Sequence, residues 1–415
     1  MSSPGADLAP SDLRGLCLLA ADGVVEVSRV VEQLHHTIAR VSLPVGSPVA
    51  GTTRGITGLV YRSVRTIAGV AGSGAGLVLG RFAPAVPLGQ TRIGREHLLS
   101  VLNGILGDHL EAGANPLAID MGFLVDGMAV DLDSGLPDEL ARQAGRKLLV
   151  SLHGLCLNEA CWVKPDGDVS LPRTLAESHG YTPVYLRYNS GRHISANGAE
   201  LAEKLQRLIE IWPEPVEEIV LLGHSMGGLI ARSASHHATL EGRDWVNPLS
   251  SIICLGSPHH GAPLERIGHR LDRLLGVSPY SAPFARLGRL RSAGITDLRF
   301  GNLCREDWQD RDRFEPGDDN RQPVVHADHV RHYMVAATLD RRADSLRSLT
   351  IGDGLVPVPS ALGQHDRPER QVPALPEHQL VVRRSGHVDL MSRRRVLRQL
   401  QHWLRTSAAS PIRKA

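Results

Sequence analysis

The chain is short of the residues that mark several large functional classes. Its 415 residues include five Phe, five Trp and six Tyr, and 4% aromatic content offers little surface for stacking nucleic-acid bases. Neither sign of charge is in excess. Lys+Arg 46 against Asp+Glu 44 leaves +2, which gives no electrostatic footprint for nucleic acid. Cysteine is scarce as well. Cys17, Cys156, Cys161, Cys254 and Cys304 are odd in number and share no spacing, which argues against a disulfide framework. Cys156 and Cys161 have no second pair to complete a zinc site. No run reaches the ~18 uncharged apolar residues of a spanning helix. The nearest stretch, 66–80, is rich in Gly and Ala and lies between Arg65 and Arg81. The N-terminus lacks a basic leader region, so a cytoplasmic chain without a secretory signal is expected.

What remains is an ordinary globular composition, 42% apolar and 22% charged, enough for one large α/β domain with appendages. Residues 1–145 read as a helical N-terminal region. Val27, Val30, Val31, Leu34 and Ile38 form one apolar stripe; Ile56, Leu59, Val60, Val64, Ile67 and Val70 form a second, and Leu98, Val101, Leu102 and Ile105 a third. Two readings stay open for these helices: packing on the following domain, or peripheral membrane contact. After Arg146 the texture changes. Short apolar runs at 147–153, 183–188, 218–223, 251–256, 332–338 and 379–383 alternate with helical patterns, notably 199–211 and 227–236. That alternation predicts a mostly parallel sheet covered by helices across 146–405. The stretch 262–327 breaks the rhythm and reads as a cap or lid insertion, with Leu271, Leu274, Leu275, Leu287 and Leu290 as its apolar residues. Residues 406–415 read as a frayed tail.

The strongest local signal is Gly223-His224-Ser225-Met226-Gly227, which follows a strand-like run and opens a helical one. This G-x-S-x-G pattern suits a sharp turn that lifts a serine hydroxyl above the sheet. Gly223 and Gly227 leave room where a Cβ would collide with backbone. Ser225 needs a base to act as a nucleophile. In a chain order Ser, acid, His, both partners lie beyond residue 225. His387 falls between the last strand candidate and an amphipathic helix, where catalytic groups of an open sheet gather. His378 would begin that strand at its other end, and His402 lies within the helix. Asp353, flanked by Gly352 and Gly354, is the candidate acid; Asp340, Asp344 and Asp297 are its competitors. Backbone N–H groups of Met226 and Leu155 are the candidate oxyanion donors.

The His153-Gly154-Leu155 loop, the Ser225 turn and Leu255-Gly256-Ser257-Pro258-His259-His260-Gly261 together resemble bacterial serine lipases and esterases of the α/β-hydrolase superfamily. The loops at Asp353-Gly354-Leu355-Val356 and Gly386-His387-Val388-Asp389 resemble those families' acid and histidine loops. The resemblance covers about 146–405 and implies an α/β-hydrolase fold cleaving small-molecule or lipid esters without a cofactor. In some such lipases an Asp two residues after the histidine helps bind calcium. Here Arg393 stands where an uncharged ligand would be expected, so Asp389 reads as a helix N-terminal residue and no metal is expected. His326, His329 and His332 run into a strand candidate, where their spacing alternates faces. His259 and His260 are candidates for the substrate pocket. An acyltransferase on the same residues and a non-catalytic, membrane-associated scaffold remain the alternatives.

Overall fold

The computed structural model describes residues 92–162, 170–262, 291–315 and 318–409, with isolated positions at 7–8, 15, 18–19, 22 and 86–87. The first two apolar stripes, the 66–80 run and the five insertion leucines lie outside the described residues. The chain divides into two compact units, one of 1–118 with 266–292 and one of 119–265 with 293–415.

In the first unit, helix α1 spans Arg92–Ala112. Its most buried residues include Asn103 and Leu110, whereas Ile105 of the expected stripe is 43% exposed. A polar side chain takes the inner face because Asn103 Nδ2 donates to the carbonyl of Leu117 at 2.7 Å.

The second unit is built on an eight-stranded sheet. Its strands are β1 (Gly122–Val125), β2 (Met128–Val130), β3 (Lys147–Leu152), β4 (Thr182–Arg187), β5 (Glu218–His224), β6 (Leu249–Leu255), β7 (Arg331–Thr338) and β8 (Gln379–Arg383). The order across the sheet is β8-β7-β6-β5-β3-β4-β1-β2. The six strands from β3 to β8 are mutually parallel, in a register that aligns Val150, Leu221 and Ile252. Strands β3, β5 and β7 are buried at nearly every position because helices cover both faces. Helices α3 (Ile194–Ile211) and α4 (Met226–Glu241) share a core with Leu148, Val150, Leu221 and Ile252. On the opposite face, α2 (Leu171–His179) and α5 (Arg394–Ala409) pack with Leu149, Val220, Leu222 and Ile253.

Three spans differ from the sequence reading. Residues 122–130, assigned there to the helical region, form an antiparallel hairpin on the edge of the sheet. Asp126 and Gly127, with φ of 48° and 79°, supply the two left-handed residues that a two-residue hairpin turn requires. The expected tail at 406 is helical through Ala409. The described part of the 262–327 stretch carries only short helical turns, Ala293–Asp297 and Arg305–Asp307. Among the described residues, no helix is long and apolar enough to cross a membrane.

Candidate active site

Strand β5 ends in His224 and α4 begins at Met226, so Ser225 alone makes the turn between them. It does so at φ 54° and ψ −123°, a strained conformation for a residue with a side chain. Its N–H donates to the carbonyl of Leu255 at 2.8 Å, tying the turn to the end of β6. The glycines on either side are demanded by packing. A Cβ on Gly227 would lie 2.5 Å from the carbonyl oxygens of Leu152 and His153, and one on Gly223 would overlap the backbone of Gly228. Gly154 is also close, if less so: a Cβ there would stand 3.1 Å from Ser225 Cβ. The β3 loop therefore touches the serine.

That loop is held from below. Tyr188 Oη donates to the His153 carbonyl at 2.6 Å, and the two rings stack with centroids 4.1 Å apart. Ser190 Oγ accepts the Cys156 N–H at 3.1 Å. Between these anchors Leu155 N–H has no hydrogen-bond acceptor among the described residues. Nor has Met226 N–H, which as the first helical residue has none within its helix.

His387 lies beyond β8 and Asp353 beyond β7. Their side chains meet, with His387 Nδ1 to Asp353 Oδ2 at 2.7 Å, and both are buried. The other carboxylate oxygen accepts the N–H groups of Leu355 and Val356 at 3.0 and 2.9 Å. Asp353 is thus fixed at both oxygens, as an acceptor-only group must be when buried. The imidazole rests against Gly256, where an added Cβ would be 3.1 Å from Cε1. Ser225 and His387 thus both border the end of β6, at Leu255 and Gly256 respectively. Among the described residues the Ser225 hydroxyl itself makes no hydrogen bond, a common state for such pairs without substrate.

The competing residues go elsewhere. Asp340 accepts from Ser345, Asp344 pairs with Arg342 on the surface, and buried Asp297 pairs with His193 at 3.0 Å. His378 ends the turn before β8, and His402 lies in α5. Asp389 accepts the Gly386 N–H at 2.9 Å and pairs with Arg393, which steadies the histidine loop. Among the described residues no cluster of His, Cys, Asp or Glu could hold a metal. The His326 and His332 rings meet edge to face at 4.8 Å, and His329 bonds the Val246 carbonyl instead. His259 and His260 face Arg232 and Arg321 rather than Ser225.

One residue beside the serine went unread in the sequence. His224 Nε2 lies 3.2 Å from the His387 carbonyl, which can only accept, so this nitrogen carries the proton. Burial, then the neighbouring His387, pushes the His224 pKa down to about 3, so the ring stays neutral and anchors the backbone of the histidine loop. A histidine at the end of an otherwise apolar buried strand was the available signal.

A family model described as a PGAP1-like alpha/beta domain matches residues 173–314. No curated protein sequence matches. Among solved structures, the chain is similar to the mature Bacillus licheniformis lipase BlEst2, at 19% identity over 62% of this chain and 91% of that one, with a TM-score of 0.41. It is also similar to a Pyrobaculum calidifontis esterase, at 14% identity over 64% and 77%, with a TM-score of 0.37. Phospholipase PlaB from Legionella pneumophila gives 17% identity over 52% and 45%, with a TM-score of 0.33. The order and direction of the strands, rather than these partial likenesses, fit an α/β-hydrolase fold, and the family match lies within the part of the chain that builds it.

Proposed function

We propose that the chain is a serine hydrolase of carboxylic esters. The observation that carries this reading is the buried Asp353–His387 pair beside the strained Ser225 turn. Ser225 Oγ attacks the ester carbonyl while His387 Nε2 takes its proton. Asp353 holds Nδ1–H of His387, which selects the tautomer with a basic Nε2 and stabilises the imidazolium. Charge growing on the carbonyl oxygen is met by the N–H groups of Leu155 and Met226, each worth about 3 kcal/mol in related oxyanion holes. His387 returns the proton to the leaving alcohol. Water, activated by the same imidazole, then cleaves the acyl-enzyme.

The first test is hydrolysis of p-nitrophenyl esters of graded chain length. Ser225→Ala is expected to lower kcat by about 10⁴-fold or more. Equal turnover by both proteins would leave the fold as a non-catalytic scaffold.

A further inference from the structure

Two turns beyond Ser225 on α4, Arg232 is 5% exposed. Its Nη1 donates to His259 Nδ1 at 2.9 Å and its Nη2 to His326 Nε2 at 3.5 Å. Its Nε is buried without a partner. Among the described residues no carboxylate pairs with it. A guanidinium cannot shed its proton as a buried lysine can, and burial pushes its pKa down only to about 10. The protein therefore keeps an inner cation whose hydrogen-bond partners are neutral rings, an expensive arrangement without a counter-charge.

Arg232 lines a cavity of about 60 Å³ together with His259, His260, Arg321, His326 and Arg370. Arg321 and Arg370 both pair with one carboxylate, Asp319, and the remaining N–H groups of Arg321 reach the carbonyls of His259 and Gly301 and His260 Nδ1, so Arg321 adds charge rather than free donors. Asp307 also lines the cavity, but its oxygens already accept the N–H groups of Leu303, Cys304 and Gln322. Glu369 is exposed at the rim. Because His259 Nδ1 accepts from Arg232, its proton is on Nε2, a buried donor with no partner. The cavity thus combines unspent donors with cationic groups. Guanidiniums here rule against a metal cation and suit an oxyanion, whose oxygens match the arginine fork.

We propose that this cavity binds one phosphate group, either as free phosphate or on the headgroup of a larger molecule, held by Arg232 and His259 Nε2 with Arg321 as a neighbouring positive charge. The volume admits a single such group. The site does not depend on ester hydrolysis, so it stands or falls apart from the reading of Ser225.

Calorimetric titration of the full chain with inorganic phosphate, in phosphate-free buffer at constant ionic strength, tests it. The expected result is saturable one-to-one binding. Arg321→Gln, at the more open side of the cavity, is expected to weaken it by about tenfold or more, as is Arg232→Met if that variant keeps a cooperative melt. Ser225→Ala should bind as wild type does. Glycerol 3-phosphate forms a second arm: binding equal to phosphate assigns a headgroup, and binding of phosphate alone assigns the free ion. Absence of binding at millimolar phosphate, or binding that survives Arg321→Gln undiminished, overturns the proposal.

Discussion

The two ends of a short stretch of α4 treat buried charge in opposite ways. At its start, the imidazole expected to gain a proton during turnover faces a carboxylate at 2.7 Å, and that carboxylate is itself pinned by two N–H groups. Six residues later, a cation that is always charged meets only imidazoles and an open space. The first arrangement supplies its compensation from within the fold, so transient charge costs little. The second does not, and a protein that retains such a cation has reason to receive an anion from outside.

Removing the compensation from the first region should have the largest effect. Asp353→Asn leaves His387 as uncompensated as Arg232 and can hold the wrong tautomer, so kcat for p-nitrophenyl esters is expected to fall by about 10⁴-fold. Asp340→Asn, on the same inter-strand segment but bonded to Ser345, should leave turnover unchanged. The reverse result would move the acid to Asp340.

Acid should act on both regions alike. Burial pushes His224 beside the serine and His332 near the cavity each down to about 3, and His153 to about 4. Each folded value lies below the unfolded value near 6.5, so the unfolded chain binds more protons in between. Their stabilisation is complete above about pH 6.5 and is lost as pH falls toward the folded values, at up to about 1.4 kcal/mol per pH unit for each ring. Melting temperature should therefore drop steeply from pH 6.5 to 4.5. His224→Gln and His332→Gln should each flatten the slope. A melting temperature that holds or rises on acidification would contradict the neutral burial of these rings.

How legible these regions are in sequence follows from how local their determinants are. The central parallel strands announce themselves because burial on both faces leaves near-continuous apolar runs such as Ile219-Val220-Leu221-Leu222. The Ser225 turn is legible because its glycines, strand and helix are contiguous. Asp353 and His387 are legible only by their loop positions, and their meeting is a tertiary fact. The edge hairpin was missed because its strands have four and three residues, too few for a clear alternation, although Asp126-Gly127 marked the turn. The arginine cavity draws on α4, the loop after β6 and the segments near 321 and 370, so no single window displays it. Its one local trace is a lone arginine inside the apolar run Leu229-Ile230-Ala231-Arg232.

The most direct measurement is covalent. Incubation of the full chain with a fluorophosphonate ester, followed by mass spectrometry of its peptides, should find one adduct per chain, on Ser225, with labelling abolished in Asp353→Asn or strongly slowed. An intact chain that takes up no probe, or carries it on another serine while Ser225 stays free, would contradict the assignment of Ser225 as the nucleophile.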